Sequence, residues 1–480
     1  MKIKIVILLV FSFAFDAIAQ APANDRQQMI RTDAPLIALV HVRVIDGTGS
    51  AAQDDQTILI AGGKITSVGP GSSANVPQGA KTLDLTGYTV LPGLVGMHDH
   101  MFFPQGGNPQ IYSDMGISFP RLYLALGVTT IRTTGSVAPY TDLEIKRRID
   151  SGSMIGPKMW VTAPYLEGKG AYTPVMHELT GVDDARRMVN FWADQGATSF
   201  KAYMNITRDE LRAAVEEAHK RGLKVTGHLC SVTFREAAEI GIDDLEHGLM
   251  PDSDFVKDKK PDLCPAGGAV NQSLAALDMN GPEVQQTIKA LIDHNVALTS
   301  TLPVFEANAP LTQNGIGAAR ALLNPRKLST MSNDARVRYL TSRARISASS
   351  NAATLVRKSM DFERAFSKAG GLLIAGLDPT GNGGIVAGFG DQREVELLVE
   401  AGFTPVEAIK IASYNGAKFL GEDSRIGSIS AGKQADLMVV KGNPAANIND
   451  IENVEIVFKD GVGYDSEKLI QSVQGLVGIR

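Results

Sequence analysis

His98, Asp99 and His100 follow an apolar run, and on an extended strand alternating side chains would turn both imidazoles to one side and Asp99 to the other. Two imidazoles on one face make a two-pronged grip for a divalent metal ion. Alone, such a pair is weak. Its weight comes from Lys201, His228, His247 and Asp378, each at or near the C-terminal end of a different expected strand. Catalytic groups of parallel barrels come from the ends of several strands, whereas structural polar residues have no reason to gather there. Tyr203, two positions after Lys201, shares its face and is expected to donate a hydrogen bond to a substrate carbonyl. His177, in a long loop, is a second expected substrate contact, while His41, His219 and His294 read as structural.

The elements that must position these groups alternate as strand and helix, the signal of a parallel α/β sheet. Eight strands are expected: Leu94 to His100, Thr129 to Thr133, Lys158 to Thr162, Ser199 to Met204, Lys224 to Leu229, Asp244 to His247, Ala297 to Thr301 and Leu372 to Asp378. Eight is the number that a closed (β/α)8 barrel, the TIM barrel, requires. Helical stretches at Thr207 to Arg221, Gly281 to His294 and Gln392 to Ala401 end before Gly222, Asn295 and Gly402, residues suited to stopping a helix. Three segments exceed ordinary connections and read as active-site loops or lids: Ala163 to Gly181, Leu249 to Gly281 and Leu302 to about Leu340.

Short strands frame this centre. Leu36 to Ile45, Thr57 to Ala61 and Lys64 to Val68 precede it, and Ala435 to Val440 and Val454 to Phe458 follow it. Together the two ends are expected to form one small β-sandwich. The expected division is therefore a leader over 1–19, a linker over 20–34, sandwich over 35–91, barrel over 92–420, and sandwich with a tail over 421–480.

The chain has 480 residues, 44% hydrophobic and 21% charged, ordinary globular values that give no sign of disorder or a fibrous repeat. Lys2 and Lys4, the apolar run Ile5 to Phe15, and Ala17-Ile18-Ala19 read as a secretory signal peptide cleaved after Ala19. The apolar run is shorter than the roughly 20 residues that span a membrane. Export to the periplasm or beyond is expected, with no membrane association after cleavage. A net charge of -5 argues against nucleic acid as a partner. Cys230 and Cys264 are the two cysteines, and an oxidising location leaves either a disulfide or two free thiols open.

The run Leu91-Pro92-Gly93-Leu94-Val95-Gly96-Met97-His98-Asp99-His100, with Lys201, Gly227-His228, Glu246-His247-Gly248 and Gly376-Leu377-Asp378, resembles the binuclear amidohydrolase superfamily. Ile426 to Ile429 and Gly432 to Leu437 are similar to that family's return into its β-sandwich, and the imidazolonepropionase-like and Xaa-Pro-dipeptidase-like branches are nearest. Gly96 departs from the pattern, since many members carry an acidic or amide residue there. The resemblance implies that His98, His100 and Asp378 hold one metal, His228 and His247 another, and that Lys201 bridges them as its N-carboxylated form. A buried lysine can react with carbon dioxide as the neutral amine. Zinc suits this ligand set best, although manganese, iron, cobalt and nickel remain open.

By that resemblance a metal-bridging hydroxide attacks the substrate carbonyl, and Asp378 shuttles the proton to the leaving nitrogen. The implied activity is hydrolysis of a small amide, peptide or cyclic amide, such as a dipeptide or N-acyl amino acid. A lactonase or phosphotriesterase-like esterase on the same metals is the alternative, and a barrel that binds without catalysis is a third reading. Related barrels assemble as dimers or larger rings, so a homo-oligomer is also open.

Overall fold

The computed structural model describes residues 22–105, 111–266, 268–311, 316–347 and 350–479. The leader expected at Met1 to Ala19 lies outside them. All eight expected parallel strands form, and all but β2 are shorter than anticipated, mainly at their C-terminal ends: β1 (Leu94–Asp99), β2 (Val128–Thr133), β3 (Lys158–Trp160), β4 (Ser199–Ala202), β5 (Lys224–Gly227), β6 (Asp244–Glu246), β7 (Ala297–Ser300) and β8 (Leu373–Ala375). They run in two parallel sheets, β3-β2-β1 and β4-β5-β6-β7-β8. Hydrogen bonds reach across both gaps between the sheets. Thr198 N donates to Val161 O (2.8 Å) and Ala163 N to Ser199 O (3.0 Å) on one side, and Asp378 N to His98 O (2.9 Å) on the other.

Gly93 and Gly376 make the close approaches near β1 feasible. A Cβ at Gly93 would lie 2.1 Å from Thr129 Oγ1, and one at Gly376 would lie 2.3 Å from His98 N. Helices Arg208–Lys220 and Phe389–Glu400 pack on the strands, and Pro282–Asp293 packs on helix Phe234–Ile240. Gly222, Asn295 and Gly402, just beyond their ends, take positive φ of 68°, 56° and 99°, the left-handed turn expected of helix stops.

Both ends of the chain share one nine-stranded sheet. Its order is Ile30–Thr32, Val462–Asp465, Val454–Lys459, Leu437–Lys441, Tyr88–Pro92, Leu36–Val44, Gln53–Ala61 and Lys64–Pro70, with Lys81–Asp84 beside Leu36–Val44. Alternate residues meet in a common core, among them Ile37 and Leu39 from one end and Leu437, Val439, Ile456 and Phe458 from the other. Tyr88–Pro92 lies in the middle of this sheet and continues through Gly93 into β1, so the sheet anchors the strand that carries His98.

Two expectations need correction. The segment read as a linker over 20–34 is structured from residue 22, with helix Pro22–Met29 followed by strand Ile30–Thr32, which pairs with Val462–Asp465. Pairing with a distant strand supplies backbone partners that the polar local composition does not reveal. The stretch from Leu302 to about Leu340 is not one loop. It holds helices Leu302–Glu306, Ile316–Leu322, Pro325–Thr330 and Asn333–Ala344. Their starts are written locally: Pro303 and Pro325 lie in first turns, Asn324 accepts from the amides of Arg326 and Lys327, and Ser332 accepts from that of Ala335.

Candidate metal centre

His98 lies on β1 and His100 one residue beyond it, and both side chains are buried. His98 Nε2 faces Asp378 Oδ2 at 3.7 Å, and His100 Nε2 faces Asp378 Oδ1 at 3.7 Å. One ligand atom from each of the three lies within 4.8 Å of the others, a separation that one cation can span. His100 Nδ1 is 3.2 Å from the Gly135 carbonyl oxygen. A carbonyl can only accept, so Nδ1 carries the hydrogen and the Nε2 lone pair points at the cluster. Burial, and next the Lys201 charge, hold His98 and His100 well below the usual imidazole pKa, keeping both neutral as ligands must be. Asp378 Oδ1 is buried without a hydrogen-bond partner, and burial pushes its carboxyl up to about 6 against the opposing pull of Lys201. A buried oxygen facing neutral imidazoles without a proton donor is what a cation would satisfy, so these residues fit the metal that the sequence implies.

His247 and His228 complete the histidine group. His247 Nδ1 lies 3.8 Å from Asp378 Oδ2 and 2.8 Å from Thr301 Oγ1. The centroid of the His247 ring lies 4.4 Å from those of both His98 and His228. Burial lowers His228 to about 3. Lys201 Nζ sits 3.3 Å from His98 Nε2 and 2.6 Å from Glu246 Oε2. The six expected ligand residues thus lie in one neighbourhood. His247 and Asp378 both have left-handed backbone, with φ of 71° and 49°. Non-glycine residues pay for that conformation, and such strain concentrates at functional sites.

Sequence reasoning missed Glu246. It lies 3.6 Å from His98 Nδ1, forms the ion pair with Lys201, accepts from Thr226 Oγ1 at 2.7 Å and meets Arg132 Nη2 at 3.4 Å. Arg132 is 1% exposed, donates twice to the Met97 carbonyl and also pairs with Asp244 at 3.1 Å. Strand alternation would put Glu246 and His247 on opposite faces. The left-handed turn at His247 breaks that alternation and lets both meet the cluster. The legible signal was the i, i+2 pair Asp244 and Glu246 on one strand face.

Tyr203 packs against His228 at 5.0 Å between ring centroids and against Tyr165 at 4.8 Å. Tyr172 stacks 6.0 Å from Tyr203, and its hydroxyl lies 2.5 Å from that of Tyr112. Tyr112, Tyr165 and Tyr172 were not anticipated from the sequence. His177 is not brought to the cluster. Its ring is 43% exposed, and Nε2 bonds Asp184 Oδ2 at 3.0 Å beside helix Val182–Gln195. His41 and His219 make similar local bonds, to Asp55 and Asp243, each at 2.9 Å. At the departure noted for Gly96, a Cβ would lie 2.1 Å from Asp99 Oδ2 and 3.1 Å from Asp391 Oδ1, so bare glycine makes room for those two carboxyls. Cys230 and Cys264 form a disulfide, Cα atoms 4.8 Å apart, tying the end of β5 to the segment after β6.

A strand-built cluster of neutral imidazoles around a carboxylate defines a class, the metal-dependent hydrolases built on parallel α/β sheets. The chain belongs to the amidohydrolase family, whose pattern it matches over residues 89–462. Solved structures with a similar fold include a Xaa-Pro dipeptidase with bound methionine in the active site, at 20% identity and TM-score 0.64, covering 90% of this chain and 100% of that one. Molinate hydrolase is similar at 18% identity and TM-score 0.66, covering 94% and 98%. Bottromycin amidohydrolase is similar at 19% identity and TM-score 0.66, covering 93% and 94%. Among curated proteins, an uncharacterized protein of Mycobacterium tuberculosis (strain ATCC 25618 / H37Rv) is 27% identical over 218 residues. That match covers 44% of this chain, and the chain spans about half the length of this relative, 55%.

Proposed function

We propose that this chain is an exported metal-dependent amidohydrolase that cleaves the C-N bond of a small substrate, a dipeptide or an N-acyl amino acid. The observation that carries the reading is the convergence of His98, His100 and Asp378 on one point, with Asp378 Oδ1 buried and unpartnered. His98, His100 and Asp378 would hold one divalent metal, and His228 and His247 the other, with N-carboxylated Lys201 between them and zinc the favoured ion. When bound, such metals supply Lewis-acid polarisation and acidify a water toward a pKa of roughly 7. Asp378 accepts the proton of the attacking water and returns it to the leaving nitrogen. Thr301 and the Gly135 carbonyl hold the rings of His247 and His100 in fixed orientations. Tyr203 and its neighbouring tyrosines form an aromatic wall beside His228 that orients the substrate and limits water.

The fold proposed to carry this site is a closed (β/α)8 barrel over 92–420, its two parallel sheets joined by the hydrogen bonds across both gaps. The nine-stranded sheet, built from strands between Ile30–Thr32 and Tyr88–Pro92 and between Leu437–Lys441 and Val462–Asp465, folds on its shared core as a sandwich. Export follows from the leader, with cleavage near Ala19, and N-terminal sequencing of secreted or periplasmic protein checks it. The decisive experiment couples metal quantification to turnover of dipeptides and N-acyl amino acids beside matched esters and lactones. Bound metal with amide cleavage is expected. Turnover of esters alone would overturn the C-N assignment, and trace metal with no metal-restored activity would overturn the whole reading.

A further inference from the structure

A cavity of about 520 Å³ opens at the end of the strands opposite the metal centre, where β3 begins at Lys158 and the nine-stranded sheet contributes Lys459 and Tyr464. Its size is within the roughly 300 to 1,000 Å³ of small-molecule sites. Its walls carry five cationic side chains, Arg26, Lys146, Lys158, Arg425 and Lys459, against two carboxylates, Asp150 and Asp460. The whole chain is net negative, at -5, so this local excess of positive charge runs against its average.

Both wall carboxylates are already engaged. Lys146 holds Asp150 at 2.7 Å, and Lys158 holds Asp460 at 2.8 Å as well as Asp436 at 2.6 Å. Arg425 pairs with Glu422 at 2.8 Å. Two cations are left short of anions. Among the described residues, Arg26 meets only the neutral Tyr464 hydroxyl, at 3.3 Å. Lys459 is 14% exposed, and its nearest carboxylate is Asp460 at 4.0 Å, the group Lys158 already holds. Burial, and next the Lys158 charge, lower the Lys459 pKa against the opposing pull of Asp460, Asp436 and Asp150. Trp160 and Ile149 add an apolar wall to the cavity.

We propose that this cavity binds a compact polyanion, through Arg26 and Lys459, at a site separate from the metal centre. The shared ligand chemistry is two or more oxyanion groups close together, as in phosphate or a di- or tricarboxylate. Such groups supply the charge-assisted hydrogen bonds that the two cations lack.

Calorimetric titration of the mature protein with inorganic phosphate, and separately with citrate, at ionic strength balanced with sodium chloride tests this. Saturable binding of one anion per chain is expected in the wild type and in Asp378→Asn, and at least about tenfold weaker binding in Lys459→Gln and in Arg26→Gln. Arg186→Gln, on the exposed face of helix Val182–Gln195 and outside the cavity, is expected to bind as the wild type does, and thermal melts of each variant establish that it is folded. The tighter of the two anions identifies the phosphate or the carboxylate source. Binding lost in Asp378→Asn but kept in Lys459→Gln would place the anion at the metals and overturn the proposal. So would no saturable binding of either anion up to about 10 mM, or binding indifferent to both cavity variants.

Discussion

Two groups of buried charge lie in the same α/β body, and they are built on opposite principles. Around Arg393, 3% exposed, the ions complete one another: its Nε and Nη2 bind Glu306 at 2.9 and 2.6 Å, and Nη1 binds Glu396 and Glu400 at 2.8 Å each. Arg320 approaches Glu396 from the other side at 2.7 Å. Around Asp378 the groups are equally buried, yet His98 Nδ1 and Asp378 Oδ1 have no hydrogen-bond partner, and the backbone is left-handed at His247 and Asp378. Buried polar groups in native proteins are nearly always satisfied. A cluster that closes on itself holds the fold, whereas one left open and strained is completed by something that binds.

Replacing one member of each cluster separates the two roles. In the open cluster, Asp378→Asn keeps the shape and removes the proton acceptor. A loss of about 10³-fold in kcat/KM, equivalent to ~4 kcal/mol, is expected with little change in unfolding midpoint. Steady-state kinetics against the substrate found in the amide panel checks it, and unchanged turnover would erase the contrast. In the closed cluster, Arg393→Met leaves Glu306 buried without a cation and leaves Glu396 with Arg320 alone. A loss of about 3 to 5 kcal/mol in urea unfolding is expected, with kcat/KM little changed where the protein stays folded.

How far this contrast was readable in the sequence depends on what sets each position. His98, His100, Lys201, His228, His247 and Asp378 were legible because period-two alternation and strand ends are local features, and the eight strands were found for the same reason. Glu246 escaped because a left-handed residue next to it cancels the alternation that sequence reading relies on. Arg132 escaped because its partners, Met97, Asp244 and Glu246, come from other strands. His177 misled because a histidine in a long loop looks available, while Asp184, seven residues on, holds it locally. Strand Ile30–Thr32 was invisible for a similar reason, since its partner lies over 400 residues away.

Glu246 tests whether the open cluster is tuned from behind. Its carboxylate approaches the far nitrogen of His98 and is itself held by Thr226 and Arg132, the arrangement that orients a metal-bound imidazole. Glu246→Gln is expected to weaken metal affinity about 10- to 100-fold, read by competition with a chromogenic chelator. Metal affinity equal to wild type would make Glu246 a structural partner of Arg132 and nothing more.

The smallest expected effect concerns a carboxyl that belongs to neither cluster. Asp142 is 4% exposed and accepts a short hydrogen bond from Ser136 Oγ at 2.6 Å, with no cation paired to it among the described residues. Burial, with a further push from Asp114, raises its carboxyl to about 7, whereas an unfolded aspartate titrates near 3.9. A raised folded-state pKa means that the native chain keeps a proton the unfolded chain releases. The contribution is therefore fully present below about pH 4 and is lost as pH rises toward 7. Asp142→Asn fixes the neutral form, so the difference in unfolding free energy between pH 5 and pH 8 is expected to shrink, by about 1 to 2 kcal/mol. Urea unfolding of both proteins at the two pH values measures it. An unchanged difference would mean that Asp142 ionises freely without a cation, and then an unpartnered carboxylate oxygen at Asp378 would no longer point to a bound metal.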